Sequence, residues 1–90
     1  MKLAPRMPVP QTREQLRALV AGLLDEPAEQ LADGDDLILD WGLDSMRVMG
    51  LVEDLNAGGV RVTMRELAER PTIAAWDALL AERRTASASA

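Results

Sequence analysis

The stretch "DWGLDSMRVMG", residues 40–50, sets a glycine, a leucine, an aspartate and a serine directly before an apolar helical pattern. Beyond Ser45, Val48, Leu51, Val52 and Leu55 recur at the spacing of one helix face. This predicts a helix from about Ser45 to Ala57, ended by Gly58 and Gly59 in the C′ role. Met46, Met49 and Glu53 fall on a different face. Ser45 stands where that helix begins. Amides left free in a first turn favour an anion there. The helix dipole acts in the same direction, by about 0.3–1 kcal/mol. Gly42 permits a tight turn that presents the serine outward. A serine at such a place is ordinarily an N-cap and nothing more. Asp44, however, is at least as good a cap. The residue three after Ser45 is Val48, so no capping box needs the serine.

Upstream, Thr12 and Gln15 form a capping-box pattern that predicts a first helix from Thr12. Leu16, Val20 and Leu23, joined by Leu19 and Leu24, make its apolar face. Pro27 forbids an unbroken helix past that point. The connection "DEPAEQLADGDDLILDWGLD" over residues 25–44 is long for a compact domain unless it has a function. "LILDW" alternates like a strand, but no partner strand is evident. An anchored loop with a short helical turn is expected, pinned by Leu31, Leu37, Leu39, Trp41 and Leu43.

Downstream, Thr63 and Glu66 form a second capping-box pattern, opening a short helix to about Glu69. Pro71 separates it from a last helix capped by Thr72. Ile73, Trp76, Leu79 and Leu80 line that helix's inner face. The expected fold is an all-α bundle of three main helices and one short one, with a long loop between the first two. Residues 12–82 should form the domain, with flexible tails at 1–11 and 83–90. Pro5, Pro8 and Pro10 break up the first tail, and "RRTASASA" lacks apolar periodicity.

Composition narrows the chemistry. Ninety residues make one small domain that buries on the order of 60% of its unfolded surface. The chain has no cysteine, histidine, tyrosine or phenylalanine. Disulfides, thiolate zinc sites and the usual general base are therefore excluded, as is a Ser–His–Asp triad. If Ser45 is reactive, another protein must activate it. No catalytic residue and no resident metal are expected.

The net charge of −5 is concentrated in one segment. Residues 1–24 carry Lys2, Arg6, Arg13 and Arg17 against Glu14 alone. From Asp25 to Ser45 there are eight acids and no base, and residues 46–90 balance six acids with six arginines. That distribution argues against nucleic-acid binding, which needs a basic face. It suits either a solvated acidic loop or a partner with a basic docking surface. "MKLAPRMPVP" lacks a signal-peptide core and no run is long enough to span a bilayer. The expectation is a cytoplasmic monomer with no membrane contact.

Two methionines beside an exposed serine suggest a soft, adaptable docking patch. Met64 and Ala68, spaced i, i+4 on the short helix, would join it if that helix packs beside the second.

The run "DDLILDWGLDSMRVMGLVEDL", continued by "RVTMRELAERPTIAAWDALL", resembles the phosphopantetheine attachment region of carrier proteins. The likeness covers roughly residues 12–82 and implies the small carrier four-helix bundle. Within that family the chain is most similar to aryl carrier domains of siderophore assembly lines. These include the carrier domain of bifunctional isochorismatases. "WGLDS", "SMRVM" and "RPTIAAW" carry this likeness. Peptidyl carriers more often have a "GGxS" or "GGDS" core. Fatty-acid carriers usually have an acid two residues after the serine, where this chain has Arg47.

The resemblance implies a mechanism. A phosphopantetheinyl transferase, using coenzyme A and magnesium, attaches 4′-phosphopantetheine to Ser45 through a phosphodiester. A stand-alone aryl-acid adenylation enzyme then loads the terminal thiol with salicylate, 2,3-dihydroxybenzoate or a similar acid. A condensation or cyclisation domain takes the aryl group onward. By motif match, Asp44 aids transferase recognition near the magnesium, and Gly42 and Leu43 shape the approach. Met46, Met49, Met64 and Ala68 would contact partners. Two rivals stand beside this reading. One is a peptidyl or acyl carrier loaded with an amino acid or polyketide unit. The other is an unmodified helical interaction module. An autonomous hydrolase is the weakest alternative, since histidine and cysteine are both absent.

Overall fold

Three threonines and one aspartate set where the helices begin. In the computed structural model, which describes residues 9–89, Thr12, Asp44, Thr63 and Thr72 each accept from a backbone amide three residues on. Each bond satisfies a donor that the first turn leaves free. The helices so opened are α1 (Arg13–Leu24), α2 (Ser45–Ala57), α3 (Met64–Glu69) and α4 (Ile73–Ser89). A 3-10 turn at Ala28–Gln30 lies between α1 and α2. This is the all-α arrangement of three long helices and one short one. There is no strand among the described residues.

The Thr63 box is complete: Thr63 Oγ1 accepts from the Glu66 amide at 3.1 Å, and Glu66 Oε1 from the Thr63 amide at 3.0 Å. The Thr12 box is not. Thr12 Oγ1 accepts from the Gln15 amide at 3.1 Å, but Gln15 Oε1 accepts from the Gln11 amide at 2.7 Å. The glutamine side chain is long enough to pass the cap and reach the amide before it.

Helix α2 ends as glycine allows. The Val60 amide donates to the Leu55 carbonyl at 2.9 Å and the Gly59 amide to that of Asn56 at 3.0 Å. Gly59, at φ 93°, takes the left-handed position that this ending requires. Helix α1 ends without glycine, on Asp25 at φ 56°.

Helix α1 packs against α4, and α2 against α3. Their apolar faces meet in one core that includes Leu16, Val20, Val48, Leu51, Leu67 and Ile73. Trp76 is buried there, and its Nε1 donates to the Leu67 carbonyl at 2.9 Å. The indole thus adds a large apolar surface without leaving its polar atom unmet.

The loop between α1 and α2 is anchored by Leu31, Leu37 and Leu43, all buried, with Trp41 half-buried. Leu39 does not join them: it is 83% exposed. The local period explains the difference. The Asp40 amide donates to the Asp36 carbonyl at 2.8 Å, and Gly42 to Ile38 at 3.0 Å. These are helical i to i+4 bonds, so each residue advances about 100°. Leu39 therefore lies opposite Leu37, while Trp41 comes back toward Leu37's side.

Two arginines of α1 clasp this loop. Arg13 bonds Asp33 at 2.9 Å and Asp77 of α4 at 3.0 Å. Arg17 also pairs with Asp33 and donates to the Leu31 carbonyl at 2.7 Å. Hydrogen bonds from Arg17, and then Arg13, hold the Asp33 carboxyl below the usual carboxylate range.

The expected tail from residue 83 is helical as far as Ser89. Alanine is frequent there, and its helix propensity is the highest of any residue. Arg83 pairs with Glu66 of α3, and Arg84 donates to the Pro10 carbonyl at 2.8 Å. Pro10 is buried and Val9 packs against the core. The rest of the expected lead-in, residues 1–8, lies outside the described residues.

Candidate functional site

The turn before α2 is closed from both sides. The Leu43 amide donates to the Leu37 carbonyl at 2.9 Å, and the Leu37 amide to that of Pro71 at 2.7 Å. The loop is thereby tied to the segment that opens α4. Asp36 Oδ1 accepts from the Ile38 and Leu39 amides at 2.9 and 2.7 Å. Trp41 Nε1 donates to Asp35 Oδ2 at 3.1 Å. Asp35 also accepts the Ala32 amide, and these two bonds, the amide's first, hold its carboxyl below the usual range. Much of the acidic charge read from the sequence is thus spent on holding the loop.

Gly42 has φ 74°, in the left-handed region that favours glycine. A Cβ there would meet nothing within 4 Å. The backbone conformation, not crowding, is what asks for glycine.

Leu43 is 2% exposed. This is the burial expected of a residue that pins the loop. Its side chain is a core anchor, and its effect on the site is to hold the turn from beneath.

Asp44 is extended and caps α2, with Oδ1 accepting from the Arg47 amide at 2.9 Å. Its second oxygen lies 3.9 Å from Arg47 Nε. Both side chains are exposed to solvent. Ser45 is the first helical residue and is exposed. Its hydroxyl has no hydrogen-bond partner among the described residues. The amides of Ser45 and Met46 likewise lack a protein acceptor there. This arrangement fits a covalent phosphodiester: a free hydroxyl, two free amides and the positive end of a thirteen-residue helix. No three acidic side chains among the described residues are grouped to hold a metal. A magnesium ion near Asp44 would need its other ligands from elsewhere.

Met46 is 85% and Met49 45% exposed. Their i, i+3 spacing puts them on one strip of α2. On α3, Ala68 is exposed, while Met64 is half-buried and packs against the core. The two helices carrying these pairs are in contact. Met64 is therefore partly a core residue, unlike Met46. Leu39, expected to pin the loop, is exposed instead. The sequence there fits periods of both two and 3.6, and the backbone bonds of residues 36–42 choose the second.

The profile of the phosphopantetheine attachment site matches residues 14–80. The chain belongs to this family. Domains of this kind are carriers: 4′-phosphopantetheine is attached to them covalently, and separate enzymes modify and load them. The chain is 51% identical to the isochorismatase of Bacillus subtilis over 72 residues, 80% of this chain and 23% of that protein. It is 39% identical to the pseudomonine synthase PmsE of Pseudomonas entomophila over 88% of this chain and 13% of that one. With the pyochelin synthetase PchE of Pseudomonas aeruginosa the identity is 47%, over 77% of this chain and 5% of the synthetase. The chain thus spans less than a quarter of each of these relatives. No significant match was found among solved structures. No helix of the described residues is long and apolar enough to cross a membrane.

Proposed function

We propose that this chain is an aryl carrier of a siderophore-type nonribosomal peptide assembly line, with Ser45 as the attachment residue. One observation carries the assignment of the serine. Asp44 performs the capping, so the Ser45 hydroxyl is left exposed and uncommitted at the first position of α2.

When attached, 4′-phosphopantetheine supplies a terminal thiol on a flexible arm, which holds an aryl acid such as salicylate or 2,3-dihydroxybenzoate as a thioester. The attachment itself is a phosphoryl transfer. Ser45 Oγ attacks the phosphorus of coenzyme A that bears the pantetheine. The bond from that phosphorus to the adenosine 3′,5′-bisphosphate leaving group breaks. The serine proton passes to a base of the phosphopantetheinyl transferase, since this chain has no histidine or cysteine. Asp44 offers its outer carboxylate oxygen to the transferase and its magnesium. Gly42 and Leu43 hold the turn that presents the serine. The free amides of Ser45 and Met46 favour the charge of the new phosphodiester.

Loading falls to a stand-alone aryl-acid adenylation enzyme, and onward transfer to a condensation or cyclisation domain. Met46, Met49, Met64 and Ala68 supply contacts for these partners. A small apolar patch suits docking that must be transient. The names of the relatives support the aryl cargo. One is an isochorismatase, and two make pseudomonine and pyochelin.

Intact mass tests this after incubation with coenzyme A, magnesium and a promiscuous phosphopantetheinyl transferase. The parent should gain one phosphopantetheine and Ser45→Ala none. Holo protein should then take an aryl acid from an aryl-adenylating enzyme in preference to amino acids. No increment on folded parent, with a control carrier modified, would overturn the attachment reading. Preferred loading with an amino acid would overturn the aryl cargo alone.

A further inference from the structure

Helix α3 has six residues, too few to hold a helix in water by themselves. Its Leu67 carbonyl has no partner within the helix. The i+4 position is Pro71, which carries no amide proton. The Trp76 indole of α4 takes that place, with Nε1 donating to the carbonyl at 2.9 Å.

The other end of α3 is held by Arg83, just past residue 82, where the sequence led us to end the domain. Arg83 Nη1 donates at 2.8 Å to the carbonyl of Arg61, on the segment that enters α3. Nη1 and Nη2 also form a fork on the two Glu66 carboxylate oxygens, at 3.3 and 2.5 Å. Glu66 is at the same time the closing half of the Thr63 capping box. Its Oε1 accepts from the Thr63 amide, the Thr63 hydroxyl and Arg83 together. Arg83 therefore fixes the Glu66 side chain where it closes the box.

Trp76 and Arg83 are seven residues apart on α4. Two turns separate them, so they share one face and stand about 10 Å apart along the axis. Six helical residues span about 9 Å. One face of α4 thus holds α3 near both ends. On α3 itself, Met64 is half-buried and Ala68 exposed.

We propose that Arg83 is a positioning residue for partner docking: from α4 it keeps α3 in the helical form that presents Met64 and Ala68. This rests on the reading that α3 supplies contacts for the loading enzyme. Without the clasp, so short a helix keeps its shape for only part of the time, and apparent affinity falls by that fraction. The chemical step takes place at the far end of the arm and is untouched. Loss of Arg83 therefore raises KM and leaves kcat alone.

The test uses the full chain, Arg83→Ala, Arg83→Lys, Glu66→Gln, and Glu66→Gln combined with Arg83→Ala. Hydrogen exchange is followed at the Glu66 and Leu67 amides, which donate to Thr63. Holo protein is loaded by salicylate- and 2,3-dihydroxybenzoate-adenylating enzymes, whichever is faster on the parent. Initial rates are read by intact mass against carrier concentration. In Arg83→Ala the two amides should exchange about tenfold faster, while α2 amides hold the parent rate. Its KM should rise about fivefold with kcat unchanged. Arg83→Lys keeps the charge but not the fork, and should fall between. Adding Glu66→Gln to Arg83→Ala should raise KM no further, because the two act through one contact. Phosphopantetheine attachment to Ser45 should run at the parent rate throughout. Should Arg83→Ala fail to fold, Arg83→Lys against the parent carries the same comparison.

Parent-like exchange in Arg83→Ala would overturn the clasp. A KM effect that adds to that of Glu66→Gln would make Arg83 a direct contact, and equally slowed phosphopantetheine attachment would make it a residue of the whole fold. Either overturns the proposal. Faster exchange with a parent-like KM would remove α3 from the docking surface, and so strike the reading beneath the proposal as well. A holo parent that takes neither aryl acid would overturn the aryl loading, and this proposal with it.

Discussion

Asp44 Oδ1 accepts the Arg47 amide at 2.9 Å, and this bond relieves Ser45 of any capping duty. Two neighbouring residues that could each cap the same helix divide the work. One holds the backbone, and the other keeps its hydroxyl free.

Ser45→Ala should therefore leave the bundle folded. Its unfolding temperature is expected to stay within a few degrees of the parent, since an exposed side chain without partners is removed. Modification by the transferase should vanish. Circular dichroism and intact mass on the same sample check both halves.

Asp44 carries two roles that separate by substitution. Asp44→Asn keeps a good cap but loses the charge, whereas Asp44→Ala loses both. Thermal unfolding should show a loss of about 1 kcal/mol for alanine and little for asparagine. Modification should slow in both. A parent-like rate for Asp44→Asn would remove the carboxylate from transferase recognition.

Gly42→Ala places a Cβ on a backbone with φ 74°. The cost should be about 1–2 kcal/mol, read as a drop in unfolding temperature. Because that turn presents Ser45, the modification rate should fall as well.

Met49 and Met64 should behave differently in a stability measurement. Met49 is 45% exposed, and its truncation should cost little. Met64 packs against the core, and Met64→Ala should lower the unfolding temperature by several degrees. Both should slow transfer to a condensation partner, measured by single-turnover transfer from loaded protein. A parent-like rate for Met49→Ala would exclude it from the docking strip.

Acid should loosen the loop clasp. Asp33, Asp35 and Glu66 all have carboxyls held below their usual range by hydrogen bonds, from Arg17, the Ala32 amide and Arg83 respectively. A carboxyl lowered in the folded state binds fewer protons there than when unfolded. Its stabilising contribution is full above the unfolded value, about 4. It is lost as pH falls through the folded value. Unfolding measured from pH 6 to 2 should show stability falling below about pH 4. Asp33→Asn should make that fall shallower.

Much of the architecture was legible because its causes are local. Thr63 and Glu66 are three residues apart, and both halves of their box form. The inward stripe Val48, Leu51, Val52 and Leu55 is buried as its spacing requires. The exposure of Leu39 is not legible there, because "LILDW" fits a period of two or of 3.6, and only the Asp36 and Ile38 carbonyl bonds choose between them. Leu43, by contrast, is buried as expected of a residue that pins the loop.

The sequence by itself determined the helices, their caps and the place of Ser45 at the head of α2. Capping and periodicity act over three or four residues, so they leave a mark in the order of the letters. The tertiary structure alone decided how the long loop is held. Arg13 reaches Asp33 across 20 residues and Asp77 across 64, and Arg84 reaches the Pro10 carbonyl across 74. Such pairs form because packed helices bring distant residues within hydrogen-bond reach, and no local spacing announces them.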